Sequence, residues 1–155
     1  MRRLRPLLLL AGLLALWVWF EWREFEAEQP RIVERLDRKF SICGSSPSFA
    51  CVHDGDSFRL GKRKIRIQHI DAPEIEGRCE KERALAVKSR ARLRQLLNEG
   101  PFDMAAKSGR PTDQYGRELR ILSRAGEDGE RVLVGDRLVS EGLAHRYVDH
   151  KLDWC

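Results

Sequence analysis

The chain lacks most of the short signatures that announce a chemistry. None of its four cysteines stands in a C-x-x-C pair, so a zinc ribbon or a thioredoxin-like redox site is not indicated. His53, His69, His145 and His150 show no H-x-x-x-H spacing, and they read as ordinary strand or surface histidines rather than zinc ligands. There is no P-loop and no G-x-S-x-G elbow. Internal repeats and low-complexity tracts are absent as well. Excess charge is scarce too. The 155 residues, about one domain's worth, hold 29 Lys+Arg and 24 Asp+Glu, a formal net charge of +5. With 42% hydrophobic and 34% charged residues, the chain fits neither a disordered tail nor a multi-span membrane protein. Residues 1–40 carry 8 basic and 6 acidic side chains, and residues 41–155 carry 21 and 18. A body at only +3 does not coat DNA through bulk charge, so contact with nucleic acid needs a local site.

What is present begins at the N-terminus. Arg2, Arg3 and Arg5 precede an uncharged, leucine-rich run from Pro6 to Phe20, the pattern of an export signal. No small-x-small cleavage site follows, and Trp17, Trp19 and Trp22 are aromatics of the membrane-interface kind. As a helix the run spans roughly 22 Å, short of a ~30 Å bilayer core. Extending it from Leu4 to Trp22, with Arg5 and Glu21 snorkelling, nearly closes the gap. The expectation is a transmembrane signal-anchor helix over 1–22, with arginines in the cytoplasm and the body outside. The alternative is secretion after signal cleavage. Residues 23–40, dense in mixed charge with few apolar anchors (Ile32, Val33, Leu36), read as a solvated stalk. Residues 41–155 form the body.

Cys43, Cys51, Cys79 and Cys155 are an even count behind an export signal, which favours disulfides. Three connectivities are possible. We expect Cys43–Cys51 and Cys79–Cys155, the second tying the chain end to the body. A cytoplasmic body would instead leave four thiols.

The body reads as mainly β with α. Phe49 to His53 and Ser57 to Leu60 form two strands around an Asp54-Gly55 turn. After Gly61-Lys62, the stretch Lys64 to Ile70 alternates, with Ile65, Ile67 and His69 on one face. A helix follows from Glu80 to Asn98, with Leu85, Ala86, Leu93, Leu96 and Leu97 on one stripe; Gly100-Pro101 stops it. Pro101 to Ala106 and Glu118 to Ser123, the latter with Leu119 and Ile121 on one face, complete five strands. Asp136 to Glu141 is a short helix ended by Gly142. Five short strands with inserted helices suggest a small Greek-key barrel of the OB type.

Three motifs bring candidate chemistry. Asp54-Gly55-Asp56-Ser57 holds a carboxylate, Asp56, at a strand start. Arg66-Ile67-Gln68-His69-Ile70-Asp71-Ala72-Pro73-Glu74 delivers an arginine and ends in two acids around a proline that fixes φ and keeps Ala72 extended. Asp113-Gln114-Tyr115-Gly116-Arg117 turns at Gly116 and projects Tyr115 and Arg117. Each alone has a plainer reading: a tight turn, a strand end with a surface ion pair, a hairpin. Together they suit metal-assisted phosphodiester hydrolysis. Asp56, Asp71 and a carbonyl are hard oxygen ligands for Ca²⁺. The arginines match phosphate oxygens, and Glu74 is placed to deprotonate or orient water.

With these motifs in this order, the sequence resembles the thermonuclease family, the staphylococcal-nuclease-like domains. The resemblance runs from about Ala50 to Tyr147 and rests on the DGDS turn, the R-x4-D-x-P-E segment, the D-x-YGR turn and the LVSEGLA helix end. It implies a five-stranded OB barrel with about three helices and a Ca²⁺-dependent nuclease site. By position it makes Asp56, Asp71 and the Ala72 carbonyl the metal ligands. Arg66 and Arg117 hold the scissile phosphate, Glu74 is the general base or the water-orienting group, and Tyr115 lines the phosphate pocket. The family's reaction releases the 5′-oxygen, leaves 3′-phosphates, and accepts DNA and RNA, preferring unpaired stretches. Ala72 stands where threonine is usual, Ser57 replaces another threonine, and Tyr147 alone represents the aromatics after the Gly-Leu-Ala stretch. The ending and the cysteines resemble an exported bacterial branch, implying a monomer anchored in the inner membrane with its body facing the periplasm or exterior. The second reading is an OB module that binds nucleic acid or a protein partner without cutting. Ala72 and the thinned aromatics speak for it.

Overall fold

A computed structural model of the chain describes residues 12–19, 31–44, 48–106, 111–126, 128–148 and 152–155. The chain divides into two units, Met1–Pro30 and Arg31–Cys155. In the first, residues 12–19 form a helix, α1, whose leucines and tryptophans are exposed. Among the described residues no helix is long and apolar enough to cross a membrane. The rest of the expected anchor, 1–11 and 20–22, and residues 23–30 of the expected stalk lie outside the described residues.

The second unit opens with β1 (Arg31–Leu36), β2 (Ser41–Ile42), β3 (Ala50–Asp54), β4 (Ser57–Leu60), β5 (Arg63–Ile67) and β6 (Ile70–Asp71). Then follow α2 (Glu80–Asn98), β7 (Phe102–Ala106), β8 (Glu118–Ala125), β9 (Arg131–Leu133), α3 (Val134–Ser140) and β10 (His145–Arg146). The large sheet runs β1-β7-β8-β5-β4-β3-β2, with β9 also on β8, while β6 and β10 pair separately. The β5–β8 and β2–β3 pairs are parallel and the others antiparallel. This mixed sheet forms a mainly-β, OB-like half-barrel with helices packed on it.

The expected stalk needs correcting, because its C-terminal part belongs to the fold. β1 pairs with β7 along its length, Leu36 with Phe102 and Arg31 with Ala106. Phe40 is buried with its ring edge-on to Phe58 at 5.5 Å. The Asn98 side chain then fixes Phe40, accepting from its N–H (2.7 Å) and donating to its carbonyl (2.9 Å). β1 is an edge strand, and edge strands carry charges that keep other chains from pairing with them. That composition is what makes it read as a solvated segment.

The expected long strand Lys64–Ile70 is also corrected. Ile65 and Ile67 are buried, but β5 ends there and His69 is exposed. Among the described residues His69 is the one non-glycine with positive φ, 68°. That left-handed residue resets the alternation, so Ile70, not His69, turns inward. On β8 the buried positions are Arg120, Leu122 and Ser123, while Leu119 and Ile121 are half-buried. Arg120 can lie inward because its guanidinium donates to the carbonyls of Pro111 (3.0 Å) and Leu119 (2.9 Å) and to the Glu118 carboxylate (2.7 Å).

Helix α2 buries Glu82, Ala86, Ser89, Leu93, Leu96 and Leu97, a stripe at helical period; Leu85 is half-buried. No basic residue lies in its last turn. Arg124 of β8 substitutes from outside, donating to the carbonyls of Leu96 (2.8 Å), Gly100 (2.9 Å) and Pro101 (3.1 Å). Gly55, in the β3–β4 turn, is required by this helix. A Cβ there would strike the Ser89 side chain and come within 2.8 Å of the Ala72 Cβ. Two disulfides are present: Cys43–Cys51, with Cα atoms 4.9 Å apart, and Cys79–Cys155, with Cα atoms 6.0 Å apart.

Candidate functional site

Three short strands set the first part of the site. In the β4–β5 ladder Ser57 pairs with Arg66, which puts Asp56 beside the arginine. The turn at Gln68-His69 then carries the chain back through β6, bringing Asp71 to the same guanidinium. Arg66 Nη1 lies 2.6 Å from Asp56 Oδ2, and Nη2 lies 3.1 Å from Asp71 Oδ1. Nη2 also reaches the Ile70 carbonyl at 3.3 Å, and the Ala72 N–H donates to Asp56 Oδ2 at 3.3 Å. Asp56, Asp71 and Ala72 are all buried.

Two buried carboxylates with a single arginine between them leave the cluster short of positive charge. The net effect of these surroundings, with burial the largest, is to raise the Asp56 carboxyl from 3.8 to about 6. Arg66 and the Ala72 N–H pull it back, while Glu74 and Asp71 push it further up. For Arg66, burial acts against the charge, but Asp56 and Asp71 outweigh it and hold the guanidinium above its ordinary value. The donors available are carboxylate and carbonyl oxygens around an uncompensated negative charge. That set fits a hard divalent cation and does not suit a soft one. The trio Cys79, Glu82 and Cys155 also lies close together, but both sulfurs are in a disulfide and no thiolate is left for a metal.

The second part of the site comes from the 113–117 turn. Asp113 Oδ1 accepts the N–H groups of Tyr115 and Arg117, both at 2.9 Å, and Oδ2 accepts Arg117 Nε at 2.7 Å. Burial pushes the Asp113 carboxyl up, but the Arg117 N–H and guanidinium and the Tyr115 N–H outweigh it, and the net effect is downward. Gly116 supplies the positive φ of 73° that lets one carboxylate gather both amides. The Arg117 guanidinium lies 5.5 Å from the Tyr115 ring centroid, and that ring is 70% exposed.

Arg66, Glu74, Tyr115 and Arg117 line one open cleft of about 850 Å³, with Lys64 and Tyr147 also in its walls. Asp71 and Ala72 open instead on a smaller cleft of about 340 Å³, and Glu74 lines both. The expected site residues therefore fall into two groups. Asp56, Arg66, Asp71 and Ala72 touch one another directly. Arg117 and Tyr115 share a cleft with Arg66 but are held by Asp113.

Two residues that sequence reasoning left without a role support this arrangement. Asp113 orients Arg117, and its signal was available: an aspartate accepting the N–H two residues on is an ordinary turn device. Glu82 is buried in α2. Its carboxylate accepts the N–H of Glu74 (3.4 Å) and of Arg78 (2.9 Å), so it holds the loop that carries Glu74. Cys79 is the N-cap and Glu82 the third helical residue; that spacing predicts a bond to the Cys79 N–H, so it gave no signal for the loop contacts. The chain matches no family model and no curated protein.

Proposed function

We propose that the Arg31–Cys155 unit is a Ca²⁺-dependent nuclease of the thermonuclease type. It is built on a five-stranded OB barrel (β3, β4, β5, β8 and β7) and hydrolyses unpaired DNA and RNA. The observation that carries this reading is the half-buried Arg66 held between the buried Asp56 and Asp71, with the Asp56 carboxyl pushed up to about 6. A module that only bound nucleic acid would have no use for Asp56, Asp71 and Glu74 beside a phosphate, which they repel unless a cation intervenes.

Asp56, Asp71 and the Ala72 carbonyl would hold Ca²⁺, which when bound polarises a phosphoryl oxygen as a Lewis acid. Arg66 and Arg117 donate N–H bonds to the phosphate oxygens and hold the negative charge that grows there during attack. Glu74 orients the attacking water and takes its proton. The water oxygen bonds to phosphorus as the bond to the 5′-oxygen breaks; the leaving oxygen takes a proton from solvent, giving a 5′-hydroxyl and a 3′-phosphate. Tyr115 walls the phosphate pocket beside Arg117. The unit acts as a monomer. An anchor over 1–22, with the body facing the periplasm or exterior, is supported by the arginines before the leucine run and by two disulfides, which persist in oxidising compartments.

The test is cleavage of single-stranded DNA with Ca²⁺ and with chelator. Glu74→Gln should lower kcat by about 10²-fold or more. A wild-type protein whose Ca²⁺-dependent cleavage does not exceed that of Glu74→Gln would leave the non-cutting module as the better reading.

A further inference from the structure

The loop that follows β6 and carries Glu74 is held by a buried carboxylate of α2, and that carboxylate lies against the C-terminal tail. Glu82 accepts the main-chain N–H groups of Glu74 and Arg78, one on each carboxylate oxygen. A Cβ on Gly77 would lie 2.5 Å from the Glu82 carboxyl carbon, so the loop wraps this side chain closely. Arg83, the next residue on α2, donates to the Gly77 carbonyl at 3.0 Å. The Cys79–Cys155 disulfide lies against the same carboxylate. Cys79 Sγ accepts the Glu82 N–H at 3.5 Å, and Cys155 Sγ is 3.8 Å from Glu82 Oε2, a packing contact because a half-cystine has no proton to donate.

The tail is fixed at two further points. Asp153 pairs with Arg78 at 2.7 Å. Trp154 is buried and stacks on His145, with ring centres 3.8 Å apart and planes 9° from parallel. His145 lies opposite Asp71 in the β10–β6 pair. One end of the tail therefore supports the strand that bears Asp71, and the other supports the carboxylate that holds Glu74.

We propose that Glu82 is a positioning residue for Glu74 and that the Cys79–Cys155 disulfide locks it in place, so that activity depends on the oxidation state of this one bond. The inference rests on the nuclease reading for its catalytic consequence and on the loop geometry alone for its structural one. The redox step balances with an external dithiol: two electrons and two protons pass to the protein disulfide, giving two cysteine thiols and the cyclic disulfide of the reductant. Freed, the tail loses its covalent hold on α2, and the Glu82 carboxylate loses its packing neighbour. A loop displaced by even about 1 Å carries a general base out of reach, which costs on the order of 10²-fold in rate.

The experiment uses the full chain and two readouts, kcat and KM on single-stranded DNA and hydrogen exchange at the Glu74 and Arg78 amides. Glu82→Ala should lower kcat roughly 10- to 100-fold with KM little changed, and both amides should exchange faster. Glu82→Gln keeps one acceptor oxygen for two N–H groups and should recover only part of the loss. The Cys43→Ser, Cys51→Ser variant should retain activity until dithiothreitol is added, then fall about 10-fold. The Cys79→Ser, Cys155→Ser variant should start at the low value and ignore the reductant. Unchanged amide protection and kcat in the reduced, still-folded protein overturn the proposal, and that arm serves even if Glu82→Ala fails to fold. A wild-type protein without cleavage sinks the nuclease reading separately, while amide exchange still decides whether Glu82 and the disulfide hold the loop.

Discussion

The two arginines of the site are held in opposite ways. The Arg66 side chain is 12% exposed and lies between two buried carboxylates, and the Arg117 side chain is 28% exposed and leans on one carboxylate within its own turn. Burial dominates at Asp56 and drives its carboxyl up, whereas at Asp113 hydrogen bonds outweigh burial and hold the carboxyl down. The Arg66 cluster is thus an electrostatic load that the half-barrel carries and that another cation would relieve. The Arg117 turn is self-satisfied and serves to aim a guanidinium. One half of the site should govern stability as well as chemistry, and the other chemistry nearly alone.

The largest effect should come from Arg66→Ala. It leaves Asp56 and Asp71 buried without a counter-charge and should cost about 3–5 kcal/mol in urea unfolding. Combining Arg66→Met with Asp56→Asn and Asp71→Asn should recover most of that loss while leaving no cleavage. A triple variant as unstable as Arg66→Ala would show that the penalty is packing rather than charge.

Next in size is the pH dependence, where the two halves have opposite signs. The raised Asp56 carboxyl binds its proton more tightly in the folded state. Its contribution to stability is therefore fully present below 3.8 and lost as pH rises through about 6. The full change is about 3 kcal/mol. The lowered Asp113 carboxyl contributes stability above 3.8 that is lost as pH falls through its depressed value. Urea midpoints between pH 4 and 6.5 should therefore decline with rising pH, and Asp56→Asn should flatten that decline. An unchanged slope in Asp56→Asn would assign it to other groups.

The smallest effect is expected from Asp113→Ala. It frees Arg117 and should lower kcat about tenfold, at a stability cost of about 1 kcal/mol. A stability loss as large as that of Arg66→Ala would erase the contrast between the halves.

Legibility in the sequence followed the range of each interaction. Helix α2 was readable because its apolar stripe and its Gly100-Pro101 stop are local signals. The Asp56–Arg66–Asp71 cluster was readable because a tight turn and one strand bring the three together within sixteen residues. β1 was not, because nothing in its charged sequence names the strand it pairs with, far along the chain. The turn at His69 escaped because a histidine with positive φ carries no compositional mark of the kind glycine does. Glu82 sat in a recognisable capping spacing, yet its carboxylate serves a loop outside the helix rather than the helix cap.

The pairing of β1 with β7 also has a kinetic side. The two strands are separated by roughly seventy residues, so β1 is made early and can find its partner only late. The β3–β4–β5 meander needs only neighbouring turns and can form first. Until β1 docks, the outer edge of β7 presents unpaired backbone groups to any strand nearby, including the same strand of another copy. The charged segment that looked like a spacer is thereby the piece that closes this edge.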